Sequence, residues 1–251
     1  MSSQPATALR LHEIAEANHR ILNPITAPKL DLLAEICQWQ PGGRLLDLAC
    51  GKGEMLSRWA SRYGITGTGV DISTVFLDAA RLRAAELGVA DKITFVEGDA
   101  ATYQASGFDV VSCLGATWIG NGVVGTINLM RPALAPDGLL LIGEPYWIDE
   151  PPEAAHAAFD WDRDEFTSLR GTLDRFTAAG CELVEMVLAD GDSWDRYVAS
   201  QWRTLSHWLR ANPDAPEVSE LRAFLDSSRS THLEFGRRYL GWGVFVLRPT
   251  R

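Results

Sequence analysis

The sequence is sparing with several features, and each absence narrows what the chain does. Its four cysteines, Cys37, Cys50, Cys113 and Cys181, include no C-x-x-C pair. A zinc site is therefore not expected, and neither is any other metal. No run of about 20 apolar residues and no secretory leader appear, so a membrane span is not expected and a cytoplasmic protein is. There is no long Lys/Arg run, and the formal net charge is −10. That balance disfavours sequence-independent nucleic-acid binding, which phosphate contacts dominate, and disfavours an anionic membrane surface. No internal repeat or low-complexity segment interrupts the chain. A third glycine is missing too: Gly51-Lys52-Gly53 is followed by Leu56 where G-x-G-x-x-G needs glycine, and no Gly-Lys-Ser/Thr makes a P-loop.

What is present fits one large domain, or one domain with an insertion. At 251 residues and 46% hydrophobic content the chain is long enough for a sizeable core. Arg44 to Leu48 reads as a buried strand, because it is short and its alternation gives way to continuous apolar residues. A glycine turn follows, then Met55, Leu56, Trp59 and Ala60 at helical spacing. Strand, glycine turn and helix open a Rossmann-like βαβ unit, which binds nucleotide-like ligands at the carboxyl end of the strand. Thr66 to Val70 reads as a second strand with Asp71 at its end. Asp71 stands about 20 residues after Gly51, where such folds place the acid that holds ribose hydroxyls. Asp47 closes the first strand, and strand Ile93 to Val96 leads into Glu97-Gly98-Asp99-Ala100. A fourth strand, Phe108 to Leu114, leaves through Gly115-Ala116-Thr117-Trp118. A fifth, Leu139 to Gly143, delivers Glu144-Pro145-Tyr146-Trp147 to the same edge. An acid, a phenol and an indole at a sheet switch point are candidates for substrate contact.

Jointly these stretches resemble the class I S-adenosylmethionine (SAM)-dependent methyltransferases. Leu45–Glu54 is similar to their first motif, Gly69-Val70-Asp71-Ile72 to their ribose acid, and Glu97-Gly98-Asp99-Ala100 to their adenine turn. Phe108–Trp118 resembles strand four, and Pro136–Ile142 the turn into strand five. The resemblance covers roughly Asp31 to Leu188, and the motifs together are specific although none is alone. It implies an α/β fold: a seven-stranded Rossmann-like, mainly parallel sheet with an antiparallel last strand. It implies SAM as cofactor and S-adenosylhomocysteine (SAH) as product. By the same resemblance Asp47, Ala49, Gly51, Gly53, Asp71, Ile72, Asp99, Ala100, Leu114 and Gly115 hold the cofactor. The positive end of the helix after Gly53 would meet the methionine carboxylate, because SAM carries no phosphate. Glu54 is ambiguous there, since it also suits the helix dipole.

The pieces outside the core are expected to be a lid and a cap on a single domain. Residues 1–30 form an N-terminal lid, with Met1 to Thr7 disordered and a helix over Leu9 to Asn18. Residues 31–190 and 240–251 form the core, and 191–239 form a helical cap inserted between strands six (Cys181 to Ala189) and seven (Gly241 to Leu247). Pro151 to Asp164 reads as an irregular acidic loop. In the resembled family the N-terminal arm often closes over the cofactor, which places Ile21 and Asn23 near its methionine end or the substrate. Trp194, Tyr197, Trp202, Leu205 and Leu209 recur at helical spacing. They read either as the cap's own small core or as walls of an acceptor pocket, and Trp194, Tyr197 and Trp202 are the expected pocket members. Trp118 and Trp147 complete the substrate side.

SAM carries an activated methyl group, so alignment and water exclusion should supply most of the acceleration. A base is needed only for a protonated acceptor. Glu144 and Tyr146 are the expected catalytic residues by position, and His19 by chemistry. No Asp/Asn-Pro-Pro-Tyr/Phe run suggests a DNA amino-methyltransferase. The leading expectation is methyl transfer to a small-molecule acceptor, on O, N or C, by a monomer or homodimer. Two other readings use the same site: intramolecular displacement of methylthioadenosine from SAM, and a non-catalytic SAM-binding regulatory module. A NAD-dependent oxidoreductase is a weaker fourth, disfavoured by the missing third glycine.

Overall fold

A computed structural model describes the backbone of residues 4–159 and 161–250, and the side chains of residues 8–159 and 161–250. The strands are β1 (Arg44–Leu48), β2 (Thr66–Asp71), β3 (Ile93–Glu97), β4 (Phe108–Leu114), β5 (Leu134–Trp147), β6 (Cys181–Leu188) and β7 (Leu240–Pro249). They form one 7-stranded sheet in the order β3-β2-β1-β4-β5-β7-β6. All neighbours pair parallel except β7, which runs antiparallel to both β5 and β6. The strand order reverses between β1 and β4, which opens a crevice at their carboxyl ends.

The helices are α1 (Gln4–Ala15), α2 (Ala27–Cys37), α3 (Glu54–Tyr63), α4 (Thr74–Glu86), α5 (Val123–Met130), α6 (Glu153–Phe159), α7 (Leu169–Ala178), α8 (Gly191–Ala211), α9 (Val218–Thr231) and the short α10 (Arg237–Tyr239). Local chemistry sets several starts. Thr26 and Ser73 accept amide hydrogens from Lys29 and Phe76 to cap α2 and α4. Asp190 and Ser193 form a reciprocal capping box at α8. Gly53 and Gly64 take left-handed conformations at either end of α3.

Apolar residues fill both faces of the sheet. One cluster joins Leu46, Leu48, Val111, Ile142, Ile127, Phe176 and Phe245 under α5 and α7. The other joins Leu45, Leu141 and Val244 with Leu33 of α2 and Leu56 and Trp59 of α3. Trp59 is fully buried, and its indole N–H donates to the Leu30 carbonyl at 3.1 Å. A third cluster lies apart: Ile14 and Ala15 of α1 pack on Leu205, Leu209, Leu221 and Leu225 of the α8–α9 hairpin. The N-terminal arm and the insertion therefore share a core of their own.

Three expectations need correction. Helix α1 already begins at Gln4, so residues 4–7 are not disordered, and residues 1–3 lie outside the described ones. Within the acidic loop Glu153–Phe159 forms a helix, anchored by the fully buried Ala155. Strand β5 does not stop at Gly143. It pairs with β7 as far as Trp147↔Leu240, so Glu144 to Trp147 are strand residues and not an edge loop.

Candidate active site

The crevice between β1 and β4 opens into a cavity of about 540 Å³, within the range of small-molecule sites. Asp47, Ala49, Gly51 and Gly53 line it from the end of β1 and the glycine turn. Asp71 and Ile72 line it from the end of β2, Asp99 and Ala100 from the turn after β3, and Leu114 and Gly115 from the end of β4. Every residue expected to hold the cofactor is thus brought to one space. Ala49 takes a left-handed conformation, φ 58°, which is uncommon for a residue with a Cβ and costs conformational energy.

The acids divide by their partners. Asp71 is buried, with Oδ2 accepting the Gly51 amide at 2.7 Å and Oδ1 the Ser73 amide at 2.9 Å. Burial pushes its pKa up, against those two bonds. An ionised carboxylate offers about four acceptor positions, so about two remain for ligand hydroxyls. Asp47 is deeper. Burial pushes its pKa to about 7, opposed by the Ser112 hydroxyl, which donates at 2.7 Å. Asp99 accepts the Ala101 amide at 2.9 Å and is otherwise open to solvent. Glu54 lines the cavity, but both its oxygens are taken by Arg83 at 2.7 and 3.0 Å. It is an ion-pair partner at the helix start and not a free ligand.

The arm closes the near side. Leu9, His12, Arg20, Ile21, Leu22 and Asn23 all line the cavity. Leu22 presses on the glycine turn so closely that a Cβ on Gly51 would stand 2.7 Å from Leu22 Cδ1. Tyr197 of α8 joins this wall, and Trp118 stands at the mouth, 70% exposed. Asn23 Oδ1 is buried with no hydrogen-bond partner among the described residues.

Six expected residues lie elsewhere. Glu144 is 2% exposed and does not line the cavity. Its Oε2 accepts the Thr117 hydroxyl at 2.7 Å, Oε1 is buried without a partner, and burial pushes its pKa to about 7. Tyr146 packs over Gly241, where a Cβ would collide with its ring. Strand alternation explains both: β5 continues, so these side chains point into the sheet's own layers. Trp147 sits among His156, Phe159 and Trp161, with ring centroids 5.5, 5.6 and 6.3 Å away. Trp194 and Tyr146 line a separate chamber of about 100 Å³. Trp242 also lines that chamber, and its ring is 3.8 Å from where a Gly115 Cβ would stand, so the indole separates the two spaces. Trp202 donates to Ser228 Oγ at 2.9 Å and packs in the arm-and-cap core. His19 is bound to Glu16 and to the Tyr197 carbonyl rather than facing the cavity.

Sequence reasoning missed His12, Arg20, Leu22 and Lys52 as cavity neighbours. Only the position of the arm reveals the first three. Lys52 stands inside the first motif, where its charge beside a ligand turn was a visible signal.

A Rossmann-like sheet, a buried acid at the end of β2 and a glycine turn without a phosphate cradle are the features of the methyltransferase class of this fold. The methyltransferase domain family matches residues 45–138. Over 241 residues the chain is 44% identical to the YjhP protein of Escherichia coli (strain K12), covering 95% of this chain and 97% of that one. A SAM-dependent methyltransferase from Geobacter sulfurreducens, solved in complex with SAH, superposes with a TM-score of 0.92 at 48% identity, covering 96% and 98% of the two chains. A 27-O-demethylrifamycin SV methyltransferase from Amycolatopsis mediterranei (strain S699) is 31% identical over 132 residues, 52% of this chain and 48% of that one. The chain belongs to the class I SAM-dependent methyltransferases.

Proposed function

We propose that the chain transfers the methyl group of SAM to a small-molecule acceptor inside the β1–β4 cavity. The carrying observation is that Asp71 keeps free acceptor positions toward a cavity lined by Asp47, Gly51, Asp99 and Gly115. In this reading Asp71 holds the ribose hydroxyls. Ile72, Asp99 and Ala100 border the adenine, Leu114 and Gly115 border the methionine chain, and Asp47 faces its ammonium group. The start of α3 favours the carboxylate. When bound, SAM supplies an activated methyl group on a sulfonium.

The residues 1–30 act as the lid and 191–239 as the cap. Asn23, Tyr197 and Trp118 form the acceptor side, supported by the unpartnered buried Oδ1 of Asn23 and by the exposed indole at the mouth. The cavity volume and its enclosure by arm and cap suit a small acceptor, and the charge of −10 disfavours nucleic acid. Because Glu144 and Tyr146 lie outside the cavity, the contribution of the chain is alignment and exclusion of water, with no protein base assigned. Four free cysteines suit a reducing cytoplasm. Among the described residues no helix is long and apolar enough to cross a membrane.

Incubation with labelled SAM, alone and with a metabolite extract, tests this reading. SAH formed only with extract, and label recovered in a small molecule, is the expected result. Methylthioadenosine released from SAM alone would replace methyl transfer with intramolecular displacement.

A further inference from the structure

Lys52 sits in the turn between Gly51 and Gly53 and would be the obvious cation for an anionic end of the ligand. Its bonds point the other way. The ammonium donates to the carbonyls of Glu16, Ala17 and His19 at 2.7, 2.9 and 2.7 Å. An ammonium has three N–H donors, so none is left for a ligand. These carbonyls belong to the chain just past the end of α1, where helices leave acceptors unmet and a cation is favoured.

The same short segment is tied to the cap from its other side. Glu16 is 0% exposed, and its Oε1 accepts the Tyr197 hydroxyl and the Gln201 amide, each at 2.6 Å. Oε2 lies 2.9 Å from His19 Nδ1. The Tyr197 hydroxyl oxygen also lies 3.2 Å from the Leu22 carbonyl oxygen, beside the wall of the cavity. Burial raises the carboxyl pKa of Glu16, but His19 and Tyr197 outweigh it and the net direction is down, toward the charged form. Surface pairs such as Arg20–Glu86 at 3.3 Å are exposed and contribute little.

We propose that Lys52 and Glu16 are positioning residues that latch the arm shut: Lys52 fastens it to the glycine turn, Glu16 fastens it to the cap, and the cofactor exchanges only when the Lys52 side opens. This rests on the SAM reading of the cavity. Neither residue is a ligand, and their effect reaches the cofactor through Leu22 and Asn23.

The test uses the full chain and two measurements. The first is the rate of tryptic cleavage within residues 8–23, without ligand. The second is the SAH dissociation rate by stopped-flow tryptophan fluorescence. Lys52→Met is expected to speed cleavage at least tenfold and SAH release at least tenfold, with the association rate changed less than threefold. Lys52→Arg, which keeps the charge and the donors, is expected to recover most of both. Glu16→Gln is expected to speed both by about threefold or more, and it stands in if Lys52→Met does not fold. Unchanged cleavage in the folded variants overturns the latch. Faster SAH release with unchanged ligand-free cleavage would make Lys52 a ligand and not a latch. Failure of the wild-type chain to bind SAH would instead overturn the cofactor reading, while the ligand-free cleavage rates would still decide the latch.

Discussion

Asp47 and Glu144 occupy comparable places on one sheet, near the carboxyl ends of β1 and β5, and burial pushes both to a pKa of about 7. Yet Asp47 faces the ligand cavity and Glu144 does not. The difference is where each strand stops. Strand β1 ends at Leu48 and turns at once through Ala49 and Gly51, leaving its last acid buried at the floor of the cavity. Strand β5 finds further pairing on antiparallel β7 and runs on past Glu144 to Trp147, which closes that side of the rim with backbone and aromatic packing. A perturbed carboxyl is a sign of function only where solvent or ligand reaches it.

The largest expected effect tests the open side. Asp71→Ala should weaken SAH binding by about a hundredfold or more, since bonds to a charged acceptor are worth about 1.5–3 kcal/mol each. Titration calorimetry on protein shown to be folded measures it, and a loss under threefold would move the ribose elsewhere.

Glu144 supplies the contrast. Its folded pKa of about 7 lies above the ordinary 4.5, so the native state binds the extra proton. Stability is then full below pH 4.5 and falls as pH rises to about 7, by on the order of 3 kcal/mol. Glu144→Gln should match the wild type in urea melts at pH 4, exceed it at pH 8, and change turnover less than about threefold. A collapse of turnover in a well-folded variant would return Glu144 to the chemistry.

Asp47 should report ligand charge. A nearby ammonium favours its ionised form, so SAH affinity should rise with pH up to about 7, by up to about tenfold per unit, and level off above it. Asp47→Asn should flatten that slope. A wild-type profile already flat across this range would separate Asp47 from the ammonium.

The smallest effect concerns the cap. Trp202→Phe removes the bond to Ser228 and should cost about 1 kcal/mol of stability. SAH affinity should stay within twofold, and a larger change would bring Trp202 back toward the pocket.

The residues expected on the cofactor side all reach one cavity, because each of their stretches is local. Leu45–Gly53, Asp71 at a strand end and the Asp99 turn are short stretches whose strand, turn and helix signals lie within a few residues of the chemistry. The expected acceptor side was met only in part: Asn23, Trp118 and Tyr197 line the cavity, whereas Trp147, Trp194 and Trp202 do not, because such walls come from segments far apart in the chain. Helical spacing grouped Trp194, Tyr197 and Trp202, but on α8 they go to three places, the separate chamber, the cavity and the arm-and-cap core. It could not say that the arm would claim part of that face, leaving Tyr197 at the cavity while Trp202 joined the shared core.

The β1–glycine turn–α3 unit, the acid at the end of β2 and the helix caps follow from the sequence by itself, because short-range periodicity, glycine conformations and side-chain caps specify them residue by residue. Whether the end of β5 reaches the ligand cavity, and what Lys52 holds, belong to the tertiary structure. The first depends on how far antiparallel β7 prolongs the pairing, and the second on α1 returning to set its terminal carbonyls over the turn.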